Sequence, residues 1–357
     1  MYLSAGASAD LADSLATING VDKDGRGHRE AMAAYKAISA QSADKLPDIL
    51  KGMNDAGPLA TNWLRSAVET IVARELAGEG KPPVDQLNQF VLDTSNGARA
   101  RRLAYEVLQK ADAGTYDRLI PGMLNDPSLE LRRDAVTFGM QQAADLAADK
   151  PNEAIAKYQQ LLVAARDLDQ IQAIADQLKE LGRDVNLPKA LGVIADWKVI
   201  GPFDNTGGIG FTTPAPPEKE FNATAAYVGK TGDVRWTDDI AIDDFGRIDL
   251  NKTVEMLKEV TAYGRTIFVS GQARDVQFRL GTYNAAKIWL NGELVFASEV
   301  YHSGEKFDQY IAPAKLKKGE NVILLKCLQN EQTQPWAKYW RFQFRITDEL
   351  GTPITSK

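Results

Sequence analysis

The sequence predicts a multidomain α + β protein: an N-terminal α-helical repeat region over about residues 1–190, then a C-terminal antiparallel β-sandwich over about 193–357. Three observations predict it. The chain of 357 residues exceeds one ordinary domain. Up to about residue 190 the text is rich in Ala, Leu, Gln and Glu, with apolar residues at helical spacing. Past Leu187-Pro188, period-two alternation of aromatic and β-branched residues takes over.

In the first region, Leu11, Leu15 and Ile18 form one short apolar stripe, and Leu103, Val107 and Leu108 another. Gly57-Pro58, Pro82-Pro83, Gly114, Pro121, Pro127 and Pro151 break the helices. A weak repeat runs through the text. Its copies are Lys45 to Ile71, Gln86 to Leu108 and Tyr116 to Met140, and a further pair at 151–164 and 166–181 closes the series. Each of the three copies has an amphipathic helix, an Asn-Asp or Leu-Asp break, and a second helix with an early Arg. This pattern resembles HEAT-type helical repeats, an α-solenoid. In that family a turn Asp and a second-helix Arg pair between neighbouring repeats. The resemblance implies such a role for Asp126 with Arg132 or Arg133, and more loosely for Asp55 with Arg65. The same family habit makes Arg99, Arg101, Arg102, Arg132 and Arg133 structural rather than a basic stripe.

The second region reads as short strands. RTIFVSG is mostly apolar; DVQFRLG sends Val276, Phe278 and Leu280 to one face, and Gln277 and Arg279 to the other. KIWLNGELVF is a hairpin with Asn291-Gly292 at its tip, because Asn-Gly supplies the two positive φ angles of a type I′ turn. GENVILLKCL follows, then WRFQFRI, whose Trp340, Phe342, Phe344 and Ile346 share one face. Many short strands with little helix argue for a sandwich.

The stretch WKVIGPFDNTGGIGF tests for nucleotide chemistry. Its glycines fail the G-x-G-x-x-G spacing, and Pro214, Pro216 and Pro217 forbid the helix that would aim amides at a phosphate. Gly229-Lys230-Thr231 matches the tail of a P-loop, but Thr224 stands where its first glycine belongs. Asp22, Asp24 and Gly25 echo a calcium loop, yet Gly20 and Ala31 occupy two ligand positions. The glycine stretch therefore opens a β-domain, with Trp197, Val199 and Phe203 packing inward.

The order of WKVIGPF, Pro216-Pro217-Glu218, Tyr227, Val234-Arg235-Trp236, AYGRTIFVS, FRLGTYNAAKIWLNGELVF, an Asp near 308, the turn at 316–322 and a final WRFQFRITDELGTPI is similar to galactose-binding-like jelly-roll domains of exported bacterial proteins. That resemblance implies a binding module whose sugar sites lie on loops at one end. Calcium-dependent relatives carry an acidic pair where this chain has Gly281-Thr282-Tyr283-Asn284-Ala285, so calcium is not implied. The candidate ligand-binding residues are Trp336, Tyr339, Tyr283, Asn284, Tyr301 and His302. An aromatic ring stacks on the apolar face of a pyranose while polar groups fix its hydroxyls. Each residue also has a plainer reading: Trp336 folded over the sandwich edge, Tyr283 capping a hairpin, His302 in a solvated loop.

Composition narrows the chemistry. The net charge of −6 gives no general pull toward nucleic acid. One cysteine, Cys327 in an apolar run, excludes an intrachain disulfide, and two distant histidines, His28 and His302, leave no basis for a zinc site. No metal or cofactor is expected. Asp238, Asp239, Asp243 and Asp244 could supply paired carboxylates for glycoside hydrolysis, but they sit in a turn-rich segment where Asp serves the backbone. No apolar stretch reaches the roughly 18–20 residues that span a membrane. The start lacks the basic and apolar regions of a signal peptide, and the chain is expected to follow a removed leader, in the periplasm or outside the cell, with a cytoplasmic place the alternative. The expectation is a non-catalytic protein recognising carbohydrate or cell-surface glycan through its sandwich. The alternatives are a protein-interaction scaffold using the concave face of the repeats, or an accessory region of a larger carbohydrate-active enzyme.

Overall fold

A computed structural model describes residues 4–21, 24, 26–78 and 80–357, with side chains from residue 11 onward. Asp22 and Gly25 of the calcium-like loop lie outside the described residues. The chain divides into two compact units, Met1–Ala165 and Arg166–Lys357.

The first unit is helical: α1 (Ser4–Asn19), α2 (His28–Ser39), α3 (Leu46–Lys51), α4 (Pro58–Ala77), α5 (Val84–Leu92), α6 (Ala98–Ala111), α7 (Thr115–Leu119), α8 (Leu129–Leu146) and α9 (Pro151–Ala164). Successive helices pair, α1 on α2, α5 on α6 and α8 on α9, while α3 bridges α4, α5 and α6. Their apolar stripes meet in one core through residues such as Leu46, Leu64, Ile71, Leu87, Leu108 and Leu131, all fully buried. Two of the three sequence breaks close in the same way: Asp93 accepts from the Ser95 amide (3.0 Å) and Asp126 from the Ser128 amide (2.7 Å).

Arg101, Arg102 and Arg132 are tied into the helical packing, with different partners from those expected, whereas Arg99 is exposed. Both Asp126 oxygens accept from Arg101 of the preceding copy, Nη1 at 2.7 Å and Nη2 at 2.6 Å, in a buried fork. Arg132 instead donates to the Asp126 backbone carbonyl (2.8 Å). Arg65 bonds Glu69 and Glu106 rather than Asp55, and Arg102 joins Glu106 to Asp134. An acid one turn away or on the next helix is in reach of a long guanidinium stem; Asp55, in the lengthened turn before α4, is exposed.

The second unit begins with α10 (Leu168–Glu180) and α11 (Leu187–Leu191). It continues through β1 (Lys198–Asp204), β2 (Tyr227–Val228), β3 (Asp233–Val234), β4 (Ile248–Asp249), α12 (Leu250–Thr253), β5 (Val260–Ser270), β6 (Arg274–Thr282), β7 (Ala285–Leu290), β8 (Glu293–Ser298), β9 (Tyr310–Leu316), β10 (Gly319–Gln329) and β11 (Arg341–Thr347). The larger sheets are antiparallel, in the orders β1-β5-β10-β7-β8 and β4-β11-β6-β9. Ile288, Ile323, Leu325 and Cys327 of the first meet Phe278, Leu280, Phe342 and Phe344 of the second in one core, which makes a sandwich. Trp197 packs edge-on against Phe342 (5.2 Å) and Phe344 (5.7 Å) and donates to the Ile194 carbonyl. Asn291 and Gly292 both have positive φ, 53° and 92°, as the hairpin requires. The Asn291 side chain is held on both atoms, donating to Asn321 (3.1 Å) and accepting from the Val322 amide (3.0 Å).

The glycine stretch forms a short 3₁₀ turn with Gly207 and Gly208 left-handed, and no α-helix follows. It begins a cover over the outer face of the five-stranded sheet. Beneath that cover one oxygen, Glu218 Oε1, accepts from Lys326 Nζ (2.8 Å), Tyr263 OH (2.5 Å) and the Ala215 amide (3.4 Å). Burial lowers the Lys326 pKa, and Glu218 opposes the shift. Lys230, of the P-loop-like tail, is tied to the Glu259 carbonyl, Thr206 and Asp204.

These contacts set measurable outcomes for stability and reactivity. Asp126→Ala leaves Arg101 buried without its counter-charge and is expected to cost about 3–5 kcal/mol in denaturant melts; Arg101→Met with Asp126→Leu should recover much of that loss. A Cβ at Gly210 would stand 2.7 Å from Asn205 Oδ1 and Thr261 Oγ1 and 2.8 Å from the Asp204 carbonyl. Gly210→Ala should therefore lower stability by about 1–3 kcal/mol. Gly122→Ala, which meets nothing within 4 Å, should stay within about 0.5 kcal/mol. Burial pushes the Cys327 thiol up to about 12, so iodoacetamide should label the native chain at least ~10³-fold more slowly than the unfolded chain.

Candidate functional site

The antiparallel order brings four loops to one end of the sandwich: residues 205–211 after β1, 283–284 between β6 and β7, 299–309 between β8 and β9, and 330–340 between β10 and β11. The six candidate residues lie in the last three. Tyr283 and Tyr339 stack, with ring centroids 5.0 Å apart and planes 22° from parallel. His302 has positive φ, donates its amide to the Tyr283 carbonyl, and shares a 2.7 Å hydrogen bond between Nε2 and Asn330. Its ring meets Trp336 edge-on at 5.3 Å. Trp336 is 53% exposed; the Pro335–Lys338 turn carries it outward and buries Ala337 instead.

Two candidates face inward. Asn284 is buried; it donates to Gln329 (3.1 Å) and accepts from the Arg341 amide (3.4 Å), so it fixes the loop rather than meeting solvent. Tyr301 is half-buried and its hydroxyl pairs with Asn205 (3.3 Å). Burial raises its pKa, and the Asn205 bond opposes this.

The structure adds residues that the sequence reading missed. The Arg341 guanidinium lies over both rings of the stacked pair, 4.6 Å from the Tyr339 centroid and 5.5 Å from Tyr283. Its Nε and Nη2 both reach Glu305 Oε2 at 2.7 Å. Lys338 approaches the Tyr339 ring at 5.1 Å. The available signal was the outward row of WRFQFRI: Arg341, Gln343 and Arg345 alternate with the core residues, and a row of that kind needs partners from somewhere.

One member of each acidic pair is engaged. Asp243 accepts from the Phe245 and Arg247 amides (both 3.0 Å) and from Arg247 Nε (2.7 Å), and Asp238 binds Lys198 (3.0 Å). No cluster of three or more His, Cys, Asp or Glu suited to a metal occurs among the described residues, nor is any of their helices long and apolar enough to cross a membrane. The loop end thus offers an exposed indole packed on His302, together with a cation-backed aromatic pair and the exposed Lys338. This can stack on a flat apolar face and bond its polar rim.

Comparison with known proteins adds little. No family model matches, and no curated protein matches. A β-glucosidase from Kluyveromyces marxianus is 14% identical over 48% of this chain and 21% of its own, at a TM-score of 0.28. The glucose complex of the Kluyveromyces marxianus enzyme is 12% identical over 83% of this chain and 38% of its own, at 0.29. An alkylpurine DNA glycosylase from Pseudomonas fluorescens, bound to DNA with an abasic-site analogue, is 11% identical over 98% of this chain and 96% of its own, at 0.22. This chain therefore spans well under half of the β-glucosidase, and likenesses this faint assign neither a family nor an activity.

Proposed function

We propose that the chain is a non-catalytic binding protein that recognises carbohydrate, such as a cell-surface glycan, through the loop end of its sandwich. The observation that carries this reading is Trp336, solvent-exposed beside the Tyr283–Tyr339 stack. A large apolar ring held out among polar neighbours is the usual platform for a pyranose face, while the exposed Lys338 supplies hydrogen bonds. On this reading the sandwich (193–357) is galactose-binding-like, the helical region (1–190) is a HEAT-like array serving as spacer or partner surface, and the protein works outside the cytoplasm. The shared Asp turns and the buried Arg101–Asp126 pair support the repeat assignment.

The test is a glycan-array screen of the full chain, repeated with Trp336→Ala and with a calcium chelator. Binding should fall at least about tenfold in the variant, equivalent to ~1.4 kcal/mol, and survive chelation. A folded wild-type chain that binds no glycan, or a variant that binds as well as wild type, would remove the reading.

A further inference from the structure

Next to the aromatic loop end, a cavity of about 280 Å³ lies on the outer face of the four-stranded sheet. Gln343 of β11 lines it, with Phe245 and Arg247 from the turn before β4, Glu305 and Phe307 from the β8–β9 loop, and Gln172 from α10. Neither Trp336 nor Tyr339 reaches it.

Its chemistry is built and incomplete. The Glu305 side chain is only 6% exposed. Arg341 occupies Oε2, while Oε1 is buried without a hydrogen-bond partner. A buried acceptor left unsatisfied is costly. Opposite in character, Arg247 spends Nε on Asp243 and lies over the Phe245 ring, and its terminal nitrogens have no acceptor among the described residues. Each wall charge already has its counter-charge, Glu305 with Arg341 and Arg247 with Asp243. A charged guest would add an unbalanced charge to a partly desolvated site. What is missing is neutral: a donor for Glu305, an acceptor for Arg247, and apolar surface for the two phenylalanines.

We propose that this cavity is a binding site for a neutral polyol the size of one sugar ring. Adjacent hydroxyls accept from Arg247 and the Gln172 amide, the carbon face of the ring meets Phe245 and Phe307, and a small turn of the Glu305 carboxyl opens Oε1, closed off from solvent in this structure, to a donated hydroxyl hydrogen. Burial raises the Glu305 pKa against the opposing pull of Arg341, a direction that a donated hydroxyl hydrogen works against. The volume sits near the small end of ligand pockets, which fits a monosaccharide. The site shares Glu305 with the support of Arg341 but uses none of the rings of the aromatic end, so the two readings are tested by different variants.

The experiment is saturation-transfer NMR on the full chain with galactose, glucose, mannose and myo-inositol at tens of millimolar, because so few ligand atoms give weak binding. Signal is expected for at least one probe with wild type and with Trp336→Ala. In the Trp336→Ala background, which removes the aromatic platform, it should be lost on adding Gln172→Phe, which fills the cavity, and on adding Gln172→Glu, which keeps the volume and adds a second carboxylate to the cavity that Glu305 lines. The thermal midpoint of Gln172→Glu shows whether its fold is intact. No transfer to any probe in wild type, transfer undiminished in both Gln172 variants, or loss with Trp336→Ala alone would overturn the proposal.

Discussion

The outward row of β11 is the constraint around which the candidate site is arranged. Arg341, Gln343 and Arg345 point away from the sandwich core, yet Gln343 and Arg345 are buried and Arg341 nearly so. Polar groups removed from water need partners, and here the partners come from loops rather than from the sheet. Glu305 takes Arg341, the Phe245 carbonyl takes the Gln343 amide, and Asp308 takes Arg345 together with Arg279. The 299–309 loop is thereby fixed at two carboxylates. His302 lies three residues before the first, and its fixed backbone hands the ring to Trp336. The aromatic end is thus positioned by electrostatics on the neighbouring face.

The helical unit applies the same rule at lower stakes. A deeply buried ion pair joins Arg101 to Asp126 across successive copies. The Arg65–Glu106–Arg102–Asp134 series is only partly buried and keeps contact with water, and pairs near the surface add little individually. The specificity of the stacking rests on the buried pair and the apolar stripes.

Much of the fold was legible because its signals are local. Alternation placed Val276, Phe278 and Leu280 inside, and likewise Trp340, Phe342, Phe344 and Ile346. Asn-Gly fixed a turn by its own backbone freedom, and three prolines removed a helix. The loop residues were legible as types but not as neighbours. Nothing in a one-dimensional text says that Tyr283 stacks on Tyr339, because strand order brings the two together. Nor does spacing reveal which acid Arg101 or Arg341 will meet, since Asp126 and Glu305 lie far along the chain. Asn284 was misplaced for the same reason: a polar loop residue looks available until Gln329 and the Arg341 amide are seen to claim it. The cavity beside Glu305 needs four separate segments and has no sequence signature.

The hairpin tip has a consequence for the lifetime of the molecule. Asn followed by Gly is the pair most prone to age chemically, because the glycine amide can attack the asparagine carboxamide and expel ammonia through a succinimide. In this turn the leaving nitrogen donates to Asn321 and the carboxamide oxygen accepts from Val322. Both bonds must be released before the ring can close. The residue pair that makes the hairpin easy to form is therefore guarded by the strand it packs beside, and ageing at Asn291 becomes a clock for the opening of that corner of the sheet.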